Sequence, residues 1–333
     1  MRTSSLLATT AVLGCSLAAT TRRPKANSKS AQPSYDDSDN PLPLVIWHGL
    51  GDDADSEGLA EIAKLADDIA PGIFVHIINP TPDGSDDRTS TFIGNVTHQV
   101  QIVCDQLAKN RVLSTAPAID AIGFSQGGQF LRGYVERCNF PRVRNLITFG
   151  SQHNGITEFK QCGALDYICK AAMALLRFNV WSTFVQNRLV PAQYYRPVED
   201  SDYALYLDGS NYLADINNER DKKNETYKEN LVRLDNFVMY LFENDTVAIP
   251  KETSWFGEVQ VNGRHTPLEE RKMYKEDWLG LKTLDRKGAL SFRTIKGDHM
   301  HIPEHVFKDV MTEFLGPFNK TAVSVDGFES EEL

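Results

Sequence analysis

The chain has 333 residues, 41% of them hydrophobic and 24% charged, and its 35 Lys and Arg against 45 Asp and Glu give a net charge of −10. That length and apolar share are enough for a large buried core with no internal repeat. The excess of acid argues against a nucleic-acid partner, whose phosphates it would repel.

From the N-terminus, Arg2, the mildly apolar stretch Leu6 to Ala19 and the small residues Ser16-Leu17-Ala18-Ala19 read as a signal peptide over residues 1–19. The stretch is too short and too rich in Thr to stay as a membrane anchor, so none is expected in the mature chain. Residues 20–41, from Thr20-Thr21-Arg22-Arg23-Pro24 to Asp36-Asp37-Ser38-Asp39-Asn40, have the composition of a disordered linker. Pro43-Leu44-Val45-Ile46-Trp47 then reads as a buried strand, with His48-Gly49-Leu50-Gly51-Asp52-Asp53 as the loop at its end. A dinucleotide loop would need a third glycine at a fixed spacing, and aspartates here would repel a pyrophosphate. No nucleotide cofactor is expected. Val96, Val100, Val103 and Leu107 follow helical spacing and carry Cys104 with them.

Ala118-Ile119-Asp120-Ala121-Ile122 reads as a second buried strand and Gln129-Phe130-Leu131-Arg132-Gly133-Tyr134-Val135 as an amphipathic helix, and between them lies Gly123-Phe124-Ser125-Gln126-Gly127. This G-x-S-x-G pattern in a strand-turn-helix setting names Ser125 as a nucleophile. The turn lifts the hydroxyl above the sheet, and glycines on either side let the backbone close that tightly.

A serine nucleophile needs a base and an acid that orients the base, and in the α/β-hydrolase order these follow it as Asp or Glu and then His, each at the carboxyl end of a strand. His48, His76 and His98 precede the serine. His153 directly follows the strand-like Asn145-Leu146-Ile147-Thr148-Phe149 and reads as a structural loop residue near the site. His265 sits in a polar turn with no strand leading into it, and His305 lies on a terminal helix pattern. Gly297-Asp298-His299-Met300-His301 follows the strand candidate Ala289 to Ile295, so His299 is the preferred base and His301 the second candidate. Phe237-Val238-Met239-Tyr240-Leu241-Phe242 is the β-prone run before it, closed by Glu243, Asn244 and Asp245, which makes Asp245 the preferred acid and Glu243 the alternative. An oxyanion hole needs two backbone amides. One is that of Gln126. The other comes from the loop after the first strand, with Leu50 preferred and Gly49 or Gly51 also allowed.

The hydrolase strands break between about Ser151 and Asn236, too long for one crossover. The chain is therefore expected to fold as an α/β-hydrolase with a mostly parallel central sheet and helices on both faces. Residues 42–150 and 235–316 would form its core, 151–234 a largely helical cap, and 317–333 a flexible acidic tail. Within the cap, Ala171 to Leu176 and Trp181 to Gln186 look helical, and Trp181, Phe184 and Val185 are candidates for an apolar groove above Ser125.

Pro43 to Asp52, Gly123 to Arg132, Leu213-Ala214-Asp215-Ile216-Asn217-Asn218-Glu219-Arg220 and Ser254-Trp255-Phe256-Gly257 together resemble the palmitoyl-protein thioesterases, in one order and over about residues 42–316. The resemblance implies removal of long fatty acyl chains from cysteine thioesters of proteins and from acyl-CoA, without metal or cofactor. It puts the triad on Ser125, Asp245 and His299 and the oxyanion amides on Leu50 and Gln126. One departure is visible: Asp52-Asp53-Ala54-Asp55 stands where relatives carry adjacent cysteines.

Cys15 lies in the leader, and Cys104, Cys138, Cys162 and Cys169 permit three pairings. The resemblance supports Cys104 with Cys138 and Cys162 with Cys169, and no C-x-x-C spacing points to zinc. Sequons at Asn95, Asn224, Asn244 and Asn319 agree with a secreted, lysosomal or vacuolar monomer. Two other readings use the same residues: a secreted lipase or carboxylesterase on oxygen esters, and an acyl-chain-binding protein without catalysis.

Overall fold

A computed structural model describes residues 40–81, 86–158 and 179–319, which fall in one compact unit. Six strands, β1 Leu44–Trp47, β2 Val75–Ile77, β3 Ile119–Phe124, β4 Val143–Phe149, β5 Asn236–Phe242 and β8 Leu290–Ile295, build the central sheet, and β6 Glu258–Val259 with β7 His265–Thr266 makes a small antiparallel hairpin. The order in the sheet is β2-β1-β3-β4-β5-β8, and every neighbouring pair is parallel. A parallel sheet needs cover on both faces. The strands supply for it near-continuous apolar runs whose side chains alternate between two cores. Val45, Trp47, Phe237 and Met239 point into one, and Leu44, Ile46, Val238, Tyr240 and Phe242 into the other.

Among the described residues five helices lie in the first half of the chain: α1 Glu57–Ile69, α2 Asp87–Ser90, α3 Val96–Lys109, α4 Arg111–Thr115 and α5 Gln126–Arg137. The first core is closed by α3, α5 and the helix Glu225–Leu231. The second is closed by α1 and the C-terminal helix Glu304–Phe314. A disulfide joins Cys104 of α3 to Cys138 at the end of α5, with Cα atoms 6.1 Å apart. Cys15, Cys162 and Cys169, residues 1–19 expected as a signal peptide, residues 20–39 of the expected linker, the helix expected over Ala171 to Leu176 and the end of the acidic tail lie outside the described residues.

The described segment from 179 to 235 carries five helices of four to ten residues, Thr183–Gln186, Val190–Gln193, Asp200–Gly209, Leu213–Ile216 and Glu225–Leu231. The one expected over Trp181 to Gln186 is a single turn, Thr183–Gln186, which starts after Trp181 because Ser182 caps it by accepting from Val185 N at 3.3 Å. The last, Glu225–Leu231, lies on α5 and adds Tyr227 and Leu231 to the first core. Arg132 of α5 ties the segment down: fully buried, it pairs with Glu136 at 2.7 Å and donates to Ile216 O, His153 O and Asn217 Oδ1. Burial pushes the Glu136 carboxyl up to about 7 against the pull of the Arg132 charge. His265 differs from expectation, since it opens the hairpin strand β7.

Candidate active site

β3 ends at Phe124 and α5 begins at Gln126, so Ser125 alone makes the turn, with φ 50° and ψ −124°. A positive φ at a residue with a Cβ costs about 1–3 kcal/mol and persists only where the surroundings enforce it. Here Ser125 N donates to Phe149 O at 2.8 Å, holding the turn to the neighbouring strand. The flanking glycines allow the close approach: a Cβ on Gly123 would stand 2.3 Å from Gly128 Cα, and one on Gly127 2.3 Å from Trp47 O and His48 O.

Above this turn three side chains form a hydrogen-bonded chain. Ser125 Oγ lies 3.0 Å from His299 Nε2, and His299 Nδ1 lies 2.7 Å from Asp245 Oδ2. Asp245 follows β5 and its side chain is fully buried, while its other oxygen accepts from Val247 N at 2.8 Å and Ala248 N at 2.9 Å. A carboxylate only accepts, so Nδ1 carries the proton and Nε2 presents its lone pair to the serine hydroxyl. Glu243 follows β5 without reaching His299, its amide donating to Ile295 O, and His301 is exposed beyond the turn. His153, fully buried, is bonded to Thr148 Oγ1 at 3.0 Å and stacked on Phe256, a structural place as its position implied.

The loop after β1 lies against the turn, with Gly49, Leu50 and Gly51 bordering the same cavity as Ser125 and His299. Gln126 is fixed through its side chain, whose Nε2 donates to Thr91 O at 3.3 Å and whose Oε1 accepts from Tyr194 at 3.2 Å. His48, set aside in the sequence because it precedes the serine, anchors this loop. Its Nε2 is 3.0 Å from Asp87 Oδ2 and its Nδ1 3.2 Å from Gly49 O, both of them acceptors, so both ring nitrogens donate. Burial works against that charge, but the bond to Asp87 and its negative charge outweigh it and raise the imidazole pKa above its ordinary value. Asp87 also accepts from Ala54 N at 3.0 Å, Gly51 N donates to Thr91 Oγ1 at 2.9 Å and Arg88 Nε to Gly51 O at 2.8 Å. Residues 87–91 thus clamp the loop from one side. No local sequence pattern marks the pairing of His48 with Asp87, whose partners stand 39 residues apart.

A cavity of about 1230 Å³ opens over Ser125. It straddles the carboxyl edge of the sheet. Ile156 and Tyr194 of the first core border it together with Phe92, Pro191 and Ala248; Leu59, Ile62, Leu65, Ile302 and Phe307 border it from the second core, with Phe124 of that core also in its wall. Trp181, Phe184 and Val185, expected to line it, do not border it. Val185 turns inward against Leu189 and Ala192, Trp181 packs on Tyr195 and Tyr206 with ring centroids 5.6 and 5.7 Å away, and Phe184 is 57% exposed with the Arg188 guanidinium 5.1 Å above its ring. One turn of helix points its residues in three directions, so only one face can meet any single cavity.

Among the sequon residues Asn224, Asn244 and Asn319 are exposed. Asn95 is half-buried and caps α3, its Nδ2 donating to Asn187 Oδ1 at 2.9 Å, so a glycan there would compete with that bond. Among the described residues no helix is long and apolar enough to cross a membrane.

A six-stranded parallel sheet, a strained serine between strand and helix, and a buried acid and histidine reaching it from later strands define an α/β-hydrolase. The family model described as palmitoyl protein thioesterase matches residues 43–299. The chain is 35% identical to palmitoyl-protein thioesterase 1 of Caenorhabditis elegans over 277 residues, covering 82% of this chain and 91% of that protein. It is also 32% identical to palmitoyl-protein thioesterase 3 of Dictyostelium discoideum, over 83% of this chain and 91% of the other. With the human protein named lysosomal thioesterase PPT2 it shares 28% identity over 74% of this chain and 78% of the relative. The chain belongs to the palmitoyl protein thioesterase family and is a hydrolase.

Proposed function

We propose that this protein removes long-chain acyl groups, palmitoyl above all, from cysteines of S-acylated proteins and from acyl-CoA, through Ser125, His299 and Asp245. The observation that carries this reading is the unbroken chain of hydrogen bonds from Asp245 to Ser125 at the floor of an apolar cavity. As Ser125 Oγ adds to the thioester carbonyl, its proton passes to His299 Nε2, and Asp245 stabilises the imidazolium so formed. The amides of Leu50 and Gln126 hold the oxyanion. The C–S bond then breaks, the thiolate takes the proton from His299 and leaves, and the acyl group remains on Ser125. Water enters, gives a proton to His299 and attacks the acyl-serine, whose oxygen recovers that proton as the fatty acid departs.

The buried walls Phe92, Ile156, Pro191 and Tyr194 receive the acyl chain, each methylene gaining about 0.8 kcal/mol on leaving water. The leader at 1–19, the Cys104–Cys138 disulfide and the lysosomal names of relatives support a lumenal or extracellular place of action.

The test is hydrolysis of palmitoyl-CoA and an S-palmitoyl peptide beside p-nitrophenyl palmitate, by the wild type and Ser125→Ala. Thioester turnover that disappears in the variant is the expected result. Preference for the oxygen ester would move the protein to the lipases, and turnover that survives Ser125→Ala would remove the serine mechanism.

A further inference from the structure

The cavity has two halves of different character, one on each side of the sheet edge that carries Ser125. A thioester is likewise two-sided at the atom under attack, with an acyl chain on one bond and a cysteine on the other. Both halves must be accommodated at once.

Around Ile156 and Tyr194 of the first core the walls are closed: Phe92 and Ile156 are each 6% exposed, and Tyr194 and Ala248 each 3%. Over the second core lies an open trough between α1 and residues 299–307. Its apolar side chains, Ile62, Leu65, Ile302 and Phe307, are only half-buried, and carboxylates stand along its rim: Glu61, Asp68 and Glu304 exposed, Asp52 half-exposed. The cations bordering the cavity are Lys64 of α1 and Arg88, which lies at the Asp52 end with its Nε on Gly51 O, and Lys308 pairs with Glu304 at 2.6 Å, so the α1 carboxylates Glu61 and Asp68 carry the acidic character of the rim. An alkyl chain laid in the trough would keep one flank in water. A polypeptide fits it better, because backbone amides require water or partners along their length and side chains alternate between an apolar floor and a polar rim.

We infer that the trough between α1 and residues 299–307 seats the polypeptide that carries the acylated cysteine, and that its acidic rim favours segments with basic residues beside that cysteine. The inference rests on the thioesterase reading above and adds to it the placement and charge of the leaving half. Attack then takes place with the acyl chain over one core and the peptide over the other, and the thiol departs through the open side while the acyl-serine stays behind the closed one.

The experiment compares three thioesters of palmitate: S-palmitoyl-N-acetylcysteamine, which ends where a peptide would begin, a decapeptide whose S-palmitoyl cysteine is flanked by Lys and Arg, and the same peptide with Glu in their place. The wild type and Glu61→Lys/Asp68→Lys, two exposed positions of α1, are assayed for kcat/KM. The expected result is that the ratio of basic peptide to short thioester falls about tenfold in the variant, while the ratio of acidic peptide to short thioester rises. Ratios that move less than twofold for both peptides, or a loss shared equally by all three substrates, would overturn the placement. A wild type inactive on the short thioester, or a Ser125→Ala variant active on it, would instead overturn the thioesterase reading and the inference that rests on it.

Discussion

Replacing Asp245 by asparagine changes one oxygen to an NH2 group and almost nothing in shape, yet its surroundings make it severe. One carboxylate oxygen of Asp245 accepts two backbone amides, from Val247 at 2.8 Å and Ala248 at 2.9 Å, and the other accepts from His299 Nδ1 at 2.7 Å. Asparagine has a single oxygen to offer. Turned toward His299, it would leave its NH2 facing two N–H groups in a fully buried place, so the oxygen stays with the amides and the NH2 faces Nδ1. Nδ1 must then accept, the ring proton moves to Nε2, and Nε2 points a hydrogen at Ser125 where a lone pair is needed. In the Ser-His-Asp proteases this wrong tautomer lowers kcat by about 10⁴, or roughly 5.5 kcal/mol at about 1.36 kcal/mol per tenfold. The same loss is expected in thioester turnover by Asp245→Asn, with KM and melting temperature close to wild type. Asp245→Ala, which imposes no tautomer, should be no worse than the near-isosteric variant. An Asp245→Asn enzyme that keeps more than about a tenth of wild-type kcat would refute the argument.

Glu136, with its carboxyl at about 7 in the fold, binds its proton more tightly there than in the unfolded chain. Between roughly pH 4.5 and 7 the native state therefore holds more protons, and this group's contribution to stability falls as pH rises, by on the order of 3 kcal/mol in all. Glu136→Gln should lose less melting temperature than wild type between pH 5 and 7.5; parallel slopes would show that the carboxyl stays charged beside Arg132. Ile156→Trp should shorten the acyl half of the cavity by about two methylenes, lowering kcat/KM for palmitoyl over octanoyl thioester by roughly tenfold. Phe184→Ala, outside the cavity, should leave that chain-length profile unchanged, and a shift there would return Phe184 to the groove.

The parts of the site legible in the sequence are those written in a few consecutive residues. Gly123 to Gly127 sits between an apolar run and an amphipathic run, and Asp245 and His299 each close a β-prone run, so local pattern and chain order suffice to find them. The cavity wall is drawn from α1, Phe92, Ile156, Pro191 with Tyr194, Ala248 and the stretch 299–307, with no shared period, and only the folded sheet brings these together. His48 was set aside on an ordering rule that concerns the triad and is silent on what supports a loop. Its role depends on Asp87, 39 residues away. Phe184 and Val185 were chosen as apolar residues in a helical pattern, but one turn cannot say which face is buried.

The hydrogen bond between Ser125 and His299 spans 174 residues of chain, and the sheet's first strand is entered through Leu42, whose amide donates to Gly316 O at 2.9 Å. At a synthesis rate of about 5–20 residues per second, the nucleophile waits roughly 10–35 s before its base has been made at all. During that interval the chain has its serine but no histidine to activate it. A truncation between Ser125 and His299 therefore yields a chain that has its nucleophile but not the base that would use it.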